Sequence, residues 1–155
     1  MKKVAVLYSK YIPLIDAIKS MGYVVDCYTS PDFNPDEYDL VVSAGYKEEV
    51  PFNTIKSHLS LLPAFEESEP VKDAFLAGVK VTGVTIFLTK SKRIIAQYPV
   101  FIHNDAHYEE LKQELEYIEQ TLFPIVIDKI LKNEPFECRT LLNTRPCGGC
   151  KGCSK

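Results

Sequence analysis

The first 45 residues constrain the fold most. They hold three β-prone apolar runs, with one helical segment between the first and the second. "KVAVLY" (Lys3–Tyr8) is a β-branched apolar run suited to a buried strand. In "IPLIDAIKSMG", Leu14, Ile15 and Ile18 share a helical face, Pro13 fits a first turn and Gly22 fits the stop. "YVVDCYT" (23–29) and "DLVVSAG" (39–45) read as further strands, separated by the turn-rich "SPDFNPDEYD". Strand, helix, strand at this spacing predicts a parallel α/β sheet with right-handed crossovers.

The rest of the chain adds antiparallel character. "FNTIKSH" (52–58) predicts a fourth strand, and "EPVKDAFLAG" a short helix over 70–78. "KVTGVTIFLT" and "RIIAQYPVFI" read as two strands joined tightly through Lys90 to Lys92, an antiparallel hairpin. A long helix is expected from Asp105, which can cap it, with Glu109 and Glu110 in its early turns. Leu111, Leu115, Ile118, Leu122 and Ile125 form its apolar stripe, and Pro124 is expected to kink or break it. The fold class expected is α/β: a mixed, mostly parallel sheet with helices on both faces, of Rossmann type.

Charge and composition narrow the function. A net charge of −3 argues against a protein that works mainly by gripping nucleic acid or an anionic membrane. No apolar run reaches membrane-spanning length, and Ser9, Lys10, Tyr11 and Pro13 interrupt the early apolar stretch too soon for a signal peptide. A cytoplasmic protein is expected. Cys27, inside an apolar strand, reads as a small core residue.

Five segments resemble the folate-dependent formyltransferases: "DLVVSAGY", "HLSLLPAF", "AFLAGVKVTGVTIF", "IIAQ" and "IEQTLFPIVI". They stand in that family's order over about residues 37–134 and are most similar to its purine-pathway member. The resemblance implies transfer of a formyl group from 10-formyltetrahydrofolate, as substrate, to an amine. It implies a folate pocket shaped by Gly45, Tyr46, Leu61, Leu62 and Pro63, and a catalytic histidine at His58. In the family an Asn-x-His pair and a later Asp share the chemistry. Here Lys56 occupies the Asn position and is the second catalytic candidate. Leu59 replaces the usual proline, and the segment expected to carry the Asp reads "LTKSKR", with Lys90, Lys92 and Arg93 and no carboxylate. Asp105 and Glu48 are candidates to supply one. "YSKYIP" lacks the glycines of the family's phosphate-cradling turn, and the N-terminal half is abbreviated.

The chemistry needs these residue types. Attack of an amine on a formyl carbon gives an intermediate with an oxyanion and a surplus proton on nitrogen. An imidazole can stabilise the oxyanion, and a carboxylate or water can relay the proton. The bland reading of His58 is a loop histidine bonded to backbone, and that of Lys56 a solvated strand-edge lysine. The cations at 90–93 read either as a hairpin tip or as an anion site for a folate tail.

Residues 135–155 form a separate Cys-rich tail after a formyltransferase-like domain at 1–134. Cys147, Cys150 and Cys153 make C-x2-C-x2-C, and Cys138 precedes them by nine residues. Four thiolates at that spacing suit Zn2+ or an iron–sulfur cluster; redox chemistry and an unstructured reactive tail are the alternatives. Arg139, Arg145 and Lys151 favour thiolates there. His103 and His107, across a strand end and a helix start, do not read as a metal pair. Three functions follow for testing: a formyltransferase, a catalytically silent relative that binds a ligand and senses metal or redox state, and a formyl-folate hydrolase. The partners expected are a folate and an amine, not nucleic acid or membrane, with homodimer formation left open.

Overall fold

The computed structural model describes residues 1–9 and 13–137. Among these residues six strands form one sheet: β1 (Lys3–Tyr8), β2 (Val24–Tyr28), β3 (Leu40–Ala44), β4 (Ile55–His58), β5 (Val81–Leu88) and β6 (Ile94–Phe101). Their order is β2-β1-β3-β4-β5-β6. The first four strands pair in parallel, while β5 runs antiparallel to both β4 and β6. The expected mixed sheet and hairpin are therefore present. β4 is shorter than its apolar run suggested, and a single residue pair, Val42 with Ile55, sets its register against β3.

Among the described residues three helices accompany the sheet: α1 (Pro13–Ser20), α2 (Pro70–Ala77) and α3 (Tyr108–Leu131). Each begins or ends where local chemistry dictates. Proline opens α1 and α2, where its missing N–H costs nothing, and Gly78 closes α2 in the left-handed conformation (φ 74°). α1 buries Leu14, Ile15 and Ile18, the face its spacing predicts.

The helices gather on one face of the sheet, not both. Leu14, Ile15 and Ile18 of α1, Val71 of α2 and Leu115, Leu122 and Ile127 of α3 join Val4, Val6, Val42, Ile55, Val84 and Ile86 in one core. On the opposite face Leu7, Tyr46 and Val50 form a smaller cluster with Tyr28, Phe33 and Phe52. The reason lies between β2 and β3. That Pro- and Asp-rich connection makes only a short 3-10 turn (Pro35–Glu37), capped by Asn34, so loop aromatics cover this face.

Three local expectations need correction. α3 starts at Tyr108 with His107 in the capping position, because residues 103–106 close a turn of their own through Ala106 N–H and His103 O (3.1 Å); Asp105 does not cap it. Pro124 does not break α3, which runs unbroken for 24 residues. Cys27 is exposed, not core, because β2 is the sheet's edge and has a neighbour on one side only.

Candidate functional site

β4 puts four successive residues to different uses. Ile55 is fully buried in the main core, and the Ser57 hydroxyl donates to Glu119 of α3 (2.8 Å), so both point toward the helices. Alternation then sends Lys56 and His58 to the loop-covered face, opposite Phe87 and Thr85 of β5.

His58 lines a cleft of about 440 Å3 with Leu62, Pro63, Glu66, Phe87, Lys92 and Ile94. Its Nε2 lies 2.8 Å from the carbonyl oxygen of Phe65. A carbonyl can only accept, so Nε2 carries a hydrogen, and in the neutral ring Nδ1 holds the lone pair. Phe65 adopts a left-handed conformation (φ 54°) uncommon for an aromatic residue, and its carbonyl is the one that fixes the imidazole. The backbone bond of the bland reading exists, therefore, and it orients the ring.

The wall of this cleft is held from β5 and β6. The buried Thr85 hydroxyl donates to Ser60 O (2.6 Å) and accepts from Leu62 N–H (3.0 Å). Gln97 Nε2 donates to Leu62 O (2.9 Å) and to the Thr85 hydroxyl (3.1 Å). Ser60 donates to Ala64 O (2.6 Å), and the Leu62–Pro63 peptide is cis. Leu61 rests on Gly83, where a Cβ would stand 2.6 Å from Leu61 Cδ2 and 2.2 Å from Tyr98 O. Only glycine permits that approach.

Lys56 faces a second cleft of about 290 Å3 beside the first, and Phe87 and Lys92 line both. Half-buried, it is not the solvated edge lysine of the bland reading. Burial first, and the neighbouring Lys92 ammonium second, hold its pKa below the usual lysine value. Lys47, Glu48, Glu49 and Lys90 also face this space. Glu48 thus comes to Lys56's cleft, where it accepts from the Tyr46 hydroxyl (3.2 Å). Glu66 is the carboxylate that lines the cleft of His58.

A third cavity, of about 390 Å3, opens on the helix side at the end of β3. Pro13, Ala44, Gly45, Ser57, Glu119 and Phe123 contribute to its wall. Burial raises the Glu119 pKa, opposed by the Ser57 hydrogen bond. Gln120 also lines it; proline at 124 has no N–H for the Gln120 carbonyl. Of the five pocket residues implied by resemblance, Leu62 and Pro63 line the cleft of His58. Gly45 lines the helix-side cavity, Tyr46 is buried with Leu7 and Val50, and Leu61 covers Gly83.

The formyl transferase family profile matches residues 36–127, more than half the chain and all of β3 to most of α3. This chain belongs to the formyl transferase family. Phosphoribosylglycinamide formyltransferase of Mycobacterium tuberculosis is 37% identical over 98 residues, covering 56% of this chain and 46% of that protein. The Bacillus subtilis protein of the same name is 32% identical over 107 residues, covering 61% and 55%. This formyl transferase chain spans about half the length of the curated relatives it matches. A crystal structure of phosphoribosylglycinamide formyltransferase from Bacillus halodurans superposes with a TM-score of 0.66 at 25% identity, covering 88% of this chain and 100% of that one. The family match includes His58, Lys56 and Glu119.

Glu66 and Glu119 escaped sequence reasoning. Glu119 sits inside a family-like segment, "IEQTLFPIVI", yet its partner Ser57 is 62 residues away. Glu66 carries no signal at all: it is an exposed acid in a loop. The four tail cysteines, Cys138, Cys147, Cys150 and Cys153, lie outside the described residues. Among the described residues no group of three His, Cys, Asp or Glu side chains is placed to hold a metal, and no helix is long and apolar enough to cross a membrane.

Proposed function

We propose that this chain transfers a formyl group from 10-formyltetrahydrofolate to an amine, in the cleft lined by His58. One observation carries the reading: an imidazole whose Nε2–H is fixed by Phe65 O stands at a cleft walled by Leu62, Pro63, Phe87 and Ile94. Those walls suit a flat heteroaromatic ring, and the volume lies within the range of small-molecule sites. With Nε2 held, Nδ1 is the nitrogen that works. Protonated, it donates to the oxyanion formed when an amine adds to the formyl carbon; neutral, it accepts the ammonium proton. Glu66, or water, relays that proton onward. Lys56 and Lys92 add positive potential beside the developing oxyanion. An amine acceptor approaches on the loop-covered face, the side of β4 from which His58 projects.

The assay follows turnover of 10-formyltetrahydrofolate with a panel of amines. His58→Ala is expected to lower kcat/KM by about 100-fold or more, while His58→Ala binds the reduced folate nearly as well. Equal turnover in both proteins would remove His58 from the mechanism. Formate release without any amine would instead mark the hydrolase reading, in which water takes the amine's place.

For the tail, we propose that Cys138, Cys147, Cys150 and Cys153 hold Zn2+ or an iron–sulfur cluster, on the support of their spacing. Metal and labile-sulfide analysis of anaerobically purified protein tests it, with Cys150→Ser expected to lose the metal. An unchanged metal content in that variant counts against the assignment.

A further inference from the structure

We propose that Lys56 is a carbonyl-capturing amine, forming an imine with a small aldehyde or 2-oxo acid that carries an anionic group. This does not depend on formyl transfer, so a chain without transferase activity would still show it.

Geometry supplies three requirements for such a site. The first is an amine that no acid neutralises. Among the described residues, the lysines in ion pairs are Lys2, Lys72, Lys90, Lys129 and Lys132; Lys56 is in none. The two carboxylates that face its cleft are engaged elsewhere. Glu49 is 3.6 Å from Lys90, and Glu48 accepts from Tyr46. The second requirement is an anion subsite beside the amine. Lys47, Lys90 and Lys92 face the same space, giving four ammonium groups around one cleft. The third is a partly apolar wall that limits hydration, supplied by Phe87 directly across the strand pair from Lys56. A lysine desolvated and set beside another cation is the arrangement that makes an amine nucleophilic at neutral pH. The depressed pKa of Lys56, from burial and Lys92, agrees with it.

The step balances without a redox partner. The neutral Lys56 Nζ adds to the carbonyl carbon, forming the N–C bond and pushing the C=O pair onto oxygen. Proton transfer from nitrogen to that oxygen gives a carbinolamine. A proton taken from solvent onto that hydroxyl lets it leave as water as the nitrogen lone pair forms the C=N bond, giving a protonated imine. The ligand's carboxylate or phosphate sits against Lys92 throughout.

Glyoxylate with cyanoborohydride tests this on the full chain at pH 7, with peptide mass spectrometry reading carboxymethylation lysine by lysine. A lowered pKa raises the neutral fraction of an amine near pH 7. Lys56 is therefore expected to label faster than exposed lysines such as Lys19 or Lys80. Lys92→Gln should slow labelling of Lys56 by glyoxylate more than by acetaldehyde, which has no anion to place. Labelling of Lys56 at the rate of exposed lysines would overturn the proposal. So would an identical Lys92→Gln effect for both aldehydes. Lys56→Arg, which keeps the charge, should abolish the adduct at this position while leaving the circular dichroism spectrum unchanged.

Discussion

Two threonines on β5 predict opposite responses to the same substitution. Thr85 is fully buried, and its hydroxyl joins the strand to the loop that walls the cleft of His58. Thr85→Val keeps the shape and removes the oxygen. It deletes the bond to Ser60 O and the bonds from Leu62 N–H and Gln97 Nε2, each worth about 1 kcal/mol net, and strips two interior backbone groups of a partner. The combined loss is about 2–4 kcal/mol, a large part of the ~5–15 kcal/mol that holds a domain folded. For a chain of this size it corresponds to a fall in Tm of roughly 5–15 °C. Thr82 is equally hidden, at 2% exposure, and its hydroxyl has no hydrogen-bond partner among the described residues. Thr82→Val should therefore be neutral or stabilise by about 1 kcal/mol. Thermal melts and urea titrations of the two variants give the comparison, and hydrogen exchange at the Leu62 amide reports the loop itself. If both variants lose similar stability, or Thr85→Val loses none, the hydroxyl of Thr85 does not secure the cleft wall.

Three further outcomes follow from the geometry. Gly83→Ala places a methyl against Tyr98 O and Leu61 and should cost at least about 1–3 kcal/mol, read as a lower urea midpoint; an unchanged midpoint would mean that β5 and β6 separate freely. Glu119 has its pKa raised by burial, so the folded chain keeps that proton to higher pH than the unfolded chain. Its contribution is complete below the unfolded value and is lost as pH rises through the folded one. Glu119→Gln should thus gain stability relative to wild type as pH rises above the unfolded carboxyl value, and parallel stability–pH curves would contradict this. The Tyr23 hydroxyl donates to Asp128 (2.5 Å), tying the start of β2 to α3, and is the main cause of that carboxyl's lowered pKa. Tyr23→Phe should cost about 1 kcal/mol at pH 7 after solvent screening. The deficit should shrink as acid protonates Asp128, since stability from a lowered carboxyl is lost as pH falls; a deficit that persists at pH 2 would point to packing instead.

Local chemistry made much of the fold legible. β-branched runs gave the strands, Pro13, Gly22, Pro70 and Gly78 marked helix limits, and Lys90 to Lys92 marked the hairpin. What sequence could not supply was which loop lies on which strand. The Thr85 bonds span 23 and 25 residues and the Ser57 bond spans 62, distances no periodicity encodes. Asp105 satisfied the pattern of a cap, but a turn closed just after it. Pro124 satisfied the pattern of a breaker, but α3 is anchored on both sides of it by buried Leu122, Phe123, Val126 and Ile127. His58 stood out because its flanking motif did; Glu66 did not, because an exposed loop acid looks like any other.

The brevity of β4 has a consequence for anyone altering this chain. Four residues form a partition between two chambers, and their parity alone decides which chamber each side chain enters. One residue inserted between Thr54 and Ile55 would shift that parity, turning the imidazole and ammonium toward the helices and the serine toward the loops. Both chambers would be lost together, with hardly a change in composition.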